Sequence, residues 1–143
     1  KPGKLSNEEF EAMKEHVRHG VDIIGRYKWL SDAMDVVKYH HEKFDGSGYT
    51  SALRGNDIPI NARIFSIADY FDALTSRRPY KEPFSYGKAI SILEENRGTH
   101  FDPGLLNAFT GISERLYHEI SGAQDSVLEE TLDSVISKYF PGV

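Results

Sequence analysis

Between Asn61 and Ser76 the apolar residues Ile64, Ile67, Ala68, Phe71 and Leu74 recur at three- and four-residue intervals, and Ala62, Phe65 and Ala73 widen the face. Such a stripe fits a helix lying deep in a core and does not fit a strand, whose period is two. The same period appears on both sides of it. Phe10, Met13, Val17, Val21 and Ile24 follow Ser6-Asn7-Glu8-Glu9, which has the form of a capping box, and Gly25 is placed to end that helix. A second helix is expected from about Ser31 to His41, capped by Ser31 or Asp32 and carrying Ala33, Met34, Val36 and Val37. Ser85 can cap a helix with Ala89, Ile92 and Leu93 that ends near Gly98. Asp102-Pro103 sets a cap and a first-turn proline ahead of Leu105, Leu106, Phe109, Ile112, Leu116 and Ile120. A last helix holds Leu128, Leu132, Val135, Ile136 and Tyr139. No run alternates well enough to be a strand, so the expected fold is all-α, a bundle of about six helices.

Composition narrows the function. A net charge of -5 and a sequence pI near 5.7 exclude a general grip on nucleic-acid phosphates, so neither DNA nor RNA is expected as the main partner. There is no cysteine, so any metal must be held by nitrogen and oxygen. That composition fits the cytoplasm, and no apolar run is long enough to span a bilayer, although a membrane-tethered parent protein is compatible with both. Residues 113–143 carry six acids against two bases. They are read either as a solvated acidic extension packed on the core or as a dimerisation element, the latter making a homodimer.

The residues able to do chemistry are concentrated. His40-His41-Glu42-Lys43-Phe44-Asp45-Gly46-Ser47-Gly48-Tyr49-Thr50 puts two imidazoles where a helix runs into a glycine-broken loop. If both were helical they would project about 100° apart, so one ion could hardly be chelated by both; two ions, or a helix ending between them, would resolve this. The bland alternative is that one of them caps the helix C-terminus. In the first helix His16 falls on the shoulder of the apolar stripe while His19 points nearly away, which makes His16 the better inward-facing ligand, though a core-edge histidine satisfied by a hydrogen bond reads the same way. Asp69 and Asp72 lie within the most apolar helix, where an unpaired carboxylate is costly, so each implies a metal or a strong partner. For Asp72 a buried pair with Arg63, Arg77 or Arg78 is an even alternative. Arg77-Arg78-Pro79-Tyr80-Lys81 is a compact basic cluster suited to phosphate or to the last carbonyls of a helix.

Taken together, Lys1-Pro2-Gly3-Lys4-Leu5, Met13-Lys14-Glu15-His16 with Gly20, His40-His41-Glu42-Lys43 through Gly48-Tyr49, Ile58-Pro59 before Ala62-Arg63-Ile64, Ala68-Asp69-Tyr70-Phe71-Asp72-Ala73-Leu74-Thr75-Ser76, Arg78-Pro79-Tyr80-Lys81, and Gly98 with His100-Phe101-Asp102-Pro103 resemble the HD-GYP branch of the HD phosphohydrolase superfamily. The resemblance covers residues 1–112, a partial HD-GYP core, and leaves 113–143 outside it. It implies an HD-domain-like helical bundle and a metal-dependent phosphodiesterase that hydrolyses cyclic di-GMP in bacterial signalling. It further implies His16, His40, His41 and Asp69 as ligands of two or three divalent metals, commonly iron or manganese. Arg78 and Lys81 would hold substrate phosphate, and Tyr49 would shape the substrate pocket. Cyclic di-GMP is the implied partner, with diguanylate cyclases or other signalling proteins beside it.

Two departures qualify the match. Thr50 stands where the family carries proline, which is expected to loosen the turn without by itself abolishing activity. The His-Asp pair that names the superfamily, and the lysine after it, do not occur in these 143 residues. The chain is therefore expected to carry part of an active site, with no catalytic residue beyond the metal shell, and to be inactive or nearly so alone. The competing reading is a catalytically degenerate module that senses a nucleotide or binds a protein.

Overall fold

A computed structural model describes residues 6–78, 82–120, 123 and 125–139; the named residues Lys1 to Leu5, Pro79, Tyr80 and Lys81, and the side chain of Asp32, lie outside that description. Six α-helices follow one another: α1 (Asn7–Ile24), α2 (Met34–Tyr39), α3 (Ile60–Thr75), α4 (Tyr86–Glu95), α5 (Pro103–Ile120) and α6 (Asp125–Tyr139), with no strand among the described residues. The chain divides into two compact units, Lys1–Phe109 and Thr110–Val143, the boundary falling within α5.

Local chemistry sets the helix starts. The Ser6 hydroxyl accepts from the Glu9 N–H at 3.2 Å while the Glu9 carboxylate accepts from the Ser6 N–H at 2.7 Å, closing the capping box of α1. Ser85 caps α4, and the Asp102 carboxylate accepts the N–H groups of Gly104 and Leu105 at 2.8 and 3.2 Å to start α5. The remaining Asp102 oxygen pairs with the Arg63 guanidinium at 2.5 Å, which also donates to Asn56, so one mostly buried ion pair fixes α3 against the start of α5.

The expected second helix is shorter and starts later. A 3-10 turn over Lys28–Ala33 precedes α2, neither helix has a side-chain cap, and Ser31 sits inside the turn. Helix α2 ends at Tyr39, so His40 is its C-cap and His41 lies beyond it.

The core of the first unit is Ile67, Leu93, Phe101 and Leu106, with Tyr70, Phe71, Ile90, Leu105 and Phe109 around it. Helix α3 meets this core with one side only. Ala62, Ser66, Ile67 and Leu74 are buried, but Ile60, Ile64, Phe65, Asp69 and Asp72 are exposed, so the expectation of a helix sunk deep in the core holds for half of its circumference. Helix α1 packs on α2 through Gly20, where an added Cβ would stand 2.6 Å from Cγ1 of Val37. Valine is stiff at χ1, so this close approach needs glycine, and it brings His16, one turn earlier, level with the end of α2.

In the second unit Val127, Leu128, Leu132 and Val135 of α6 are exposed, and Ser113 of α5 is buried.

Candidate metal centre

Three imidazoles meet where α1 passes the end of α2. The Nε2 atoms of His16 and His40 are 3.5 Å apart, and that of His41 is 3.1 Å from that of His16. One ligand atom from each lies within 4.8 Å of the others. Two nitrogens bound to one ion at about 2.0–2.2 Å, at tetrahedral or octahedral angles, stand about 3.0–3.5 Å apart, so the observed spacings could accommodate one.

The protonation pattern points the same way. His16 Nδ1 lies 2.5 Å from the Met13 carbonyl oxygen, and His40 Nδ1 lies 2.9 and 3.1 Å from those of Val36 and Val37. A carbonyl accepts only, so both Nδ1 atoms donate, and in the neutral form of each ring the lone pair is on Nε2. In that form the two lone pairs face each other with no proton between them, and the His41 Nε2 reaches that of His16. A cation among the three satisfies all of them. His40 thus does both things the sequence left open: its Nδ1 caps the last carbonyls of α2 while its Nε2 remains free for a ligand.

Burial first, and then the neighbouring rings of His40, His16 and His100, push the His41 imidazole down to about 4, so it is neutral and able to bind metal near pH 7. The Tyr49 ring stacks on His41 at 4.9 Å, and its hydroxyl reaches the Met13 sulfur at 3.9 Å. Burial raises the Tyr49 phenol to about 12. Phe10 meets Tyr49 edge-on, and the Lys14 ammonium lies over both rings. Tyr49 also lines an open cleft of about 340 Å³ bounded by Lys14, Arg18, Lys38, Val17, Val21 and Thr50.

The other expected site residues are placed differently. His19 is outside the cluster, as the helical geometry required. Asp69 is exposed on α3 and is not part of the three-histidine set; it stands one helical turn beyond Phe65, whose ring meets His40 edge-on at 5.8 Å. Asp72 accepts the Ser76 hydroxyl at 2.6 Å, and its other oxygen is 3.8 Å from Arg78, both side chains being exposed. The expected pair therefore exists, but at the surface, where it contributes little. Arg78 is exposed, and Lys81 is outside the described residues.

What holds the loop after His41 is not evident from helical periodicity or cap chemistry. The N–H groups of Phe44 and Asp45 donate to the carbonyls of His100 and Thr99 at 3.1 and 2.8 Å, so the turn before α5 is the platform for the segment that follows His40 and His41. Glu42 is buried and accepts from the Thr50 hydroxyl and the Ser51 N–H. Thr50 is thus tied down, and the expected loosening of this turn is not seen. The signal that could have found the clamp is an acid placed directly after His40-His41 and a hydroxyl after Gly48-Tyr49.

A family model described as an HD domain matches residues 1–105. The chain belongs to the HD-domain family. The chain is 43% identical over 122 residues to a protein named cyclic di-GMP phosphodiesterase from Vibrio cholerae, the match covering 80% of this chain and 25% of that protein. A protein of the same name from Thermotoga maritima is 39% identical over 118 residues, 81% of this chain and 32% of its own. A 3'3'-cGAMP-specific phosphodiesterase 2 from Vibrio cholerae is 45% identical over 108 residues, covering 74% and 21%. This HD-domain chain spans between a fifth and a third of the curated relatives it matches.

His100, which stacks on Phe101 at 4.4 Å, offers a test of the platform that is independent of any metal. Burial, then the nearby Lys43, pushes its imidazole down to about 4, with Asp45 opposing. Protonation therefore costs the fold more than the unfolded chain: the stability is fully present above the free value of 6.5 and is lost as pH falls through about 4. Partial exposure reduces the expected loss to about 1–2 kcal/mol. In chelator, urea unfolding from pH 7 to pH 4 should cost the native chain that much more than His100→Phe; equal losses would rule this out.

Proposed function

We propose that the full-length protein hydrolyses a cyclic dinucleotide, cyclic di-GMP by preference, and that this chain supplies part of its metal-dependent site. The convergence of three imidazole Nε2 atoms, at 3.1 and 3.5 Å, carries the reading. His16, His40 and His41 hold one ion of a set of two or three, iron or manganese, and Asp69 contributes a carboxylate from α3. When bound, such ions supply Lewis acidity at phosphorus and lower the pKa of the attacking water. The chain's own residues orient the reactants. Backbone carbonyls on the Nδ1 atoms fix the rings of His16 and His40, and Tyr49 excludes water from one face of His41 and borders the substrate. Arg78 and Lys81 hold phosphate through charge-assisted hydrogen bonds. The relatives named for cyclic di-GMP support the substrate, and the one named for 3'3'-cGAMP makes that dinucleotide the second candidate.

The test compares the full-length protein with the 143-residue chain for metal content by elemental analysis and for cleavage of both dinucleotides. The full-length protein is expected to hold two or more ions and to cleave cyclic di-GMP faster than 3'3'-cGAMP, the short chain to bind metal with little or no turnover. A metal-loaded full-length protein that cleaves neither would overturn the assignment in favour of a binding module.

A further inference from the structure

Glu42 directly follows a metal-binding imidazole, is only 2% exposed, and takes no part in the ligand set. Burying a carboxyl group costs several kcal/mol unless its oxygens are bonded. One of them is: Oε1 accepts both the Thr50 hydroxyl and the Ser51 N–H, while Oε2 is buried with no hydrogen-bond partner among the described residues. Gly48 lies so close against this residue that an added Cβ would be 2.6 Å from the Glu42 Cα. Glu42 therefore grips the loop on both sides of Tyr49, at Gly48 by contact and at Thr50 and Ser51 by hydrogen bonds. Between these grips the Tyr49 ring lies on His41 with an interplanar angle of 28°. The segment from His41 to Ser51 is thereby closed on itself, and the stacked imidazole presents its nitrogen to His16.

We infer that Glu42 is a positioning residue for the metal centre: through Thr50 and Ser51 it fixes Tyr49 on His41 and so holds that imidazole toward His16 and His40. The inference rests on the metal reading above. Thr50 is the specific element in this chain. A proline at that position would stiffen the turn through its ring but could give the carboxylate no hydrogen, whereas threonine restrains the same turn by donating to it. Outer-shell groups of this kind set metal affinity by fixing ligand orientation.

The test uses the chain labelled with 15N-histidine and titrated with zinc, following the imidazole nitrogens and the nuclear Overhauser contacts between the rings of His41 and Tyr49. Thr50→Val keeps the shape and removes the hydroxyl; it is expected to weaken zinc binding about tenfold and to lose those contacts. Thr50→Ser should stay within about twofold of the native chain on both readouts. In a Tyr49→Leu background the valine substitution should cost less than about twofold, because the clamp acts through the stacked ring. Glu42→Gln keeps an acceptor oxygen and should stay within about threefold, which also separates positioning from ligation by Glu42 itself and stands as the test if the valine variant does not fold. Native-like binding by Thr50→Val, failure of serine to rescue, an undiminished valine effect without Tyr49, or a tenfold loss in Glu42→Gln would each overturn the proposal. If the native chain takes no zinc on these nitrogens, the metal reading fails alone; the clamp is then judged by the ring contacts, which Thr50→Val must abolish and Thr50→Ser must keep.

Discussion

His16→Ala is expected to reduce zinc affinity by more than about 100-fold, beyond the 10- to 100-fold typical of losing an outer-shell partner, while His19→Ala changes it by less than about twofold. His16 is the hub of the cluster: its Nε2 lies within hydrogen-bonding range of both His40 and His41, so its removal leaves two neighbouring imidazoles and no third ligand from α1. Its side chain is exposed, and what it loses without metal is a bond to the Met13 carbonyl of its own helix and the contacts with the His40 and His41 rings, so the cost to the fold should be small. Zinc titration by calorimetry beside a metal-free melting curve checks both halves. Equal affinities for the two alanine variants would remove the three-histidine centre from consideration.

Gly48→Ala should have the largest effect on stability. The new methyl carbon would stand 2.5 Å from the Glu42 Oε2, 2.6 Å from its Cα and 2.8 Å from the Lys43 nitrogen. Two of those atoms are backbone, so no side-chain rotation relieves the clash and the loop must move away from His40 and His41. A loss of about 3 kcal/mol follows, near the upper end for overpacking, or about 6–12 °C in melting temperature. Gly55→Ala provides the contrast. Nothing lies within 4 Å of its added Cβ, but its φ of +57° is in the left-handed region, which costs about 1 kcal/mol without disturbing the site. If the two variants melt alike, the contact between Gly48 and Glu42 is not what shapes the loop.

The helical period gave the number and order of the helices, and cap chemistry at Ser6, Ser85 and Asp102 gave three of their starts, because both are local. The failures came where distant residues decide. Val-Val-Lys-Tyr-His-His contains no breaker, so nothing local ends α2 at Tyr39; the chain leaves the helix to meet the carbonyls of Thr99 and His100. That early end removes the 100° problem posed by the adjacent histidines. Apolar counting likewise sank α3 too deep, since periodicity records which residues could be covered and not which are; Ile64, Phe65 and Asp69 are exposed. Preference for His16 over His19 came from angle alone and matches the cluster, whereas Asp69 was chosen over Asp72 by resemblance and remains part of the proposal.

The hydrogen bonds from Phe44 and Asp45 to His100 and Thr99 also say when the centre can form. They close a loop of more than fifty residues, an entropic cost met only after the turn before α5 is in place. The rings of His16, His40 and His41 meet over a shorter span, but the support that ends α2 and aims His41 is complete only with that closure, so the finished centre is a product of folding and not its nucleus. An ion bound there should therefore act on the descending side of the barrier, lengthening the lifetime of the native state by slowing unfolding while leaving the rate of refolding nearly unchanged.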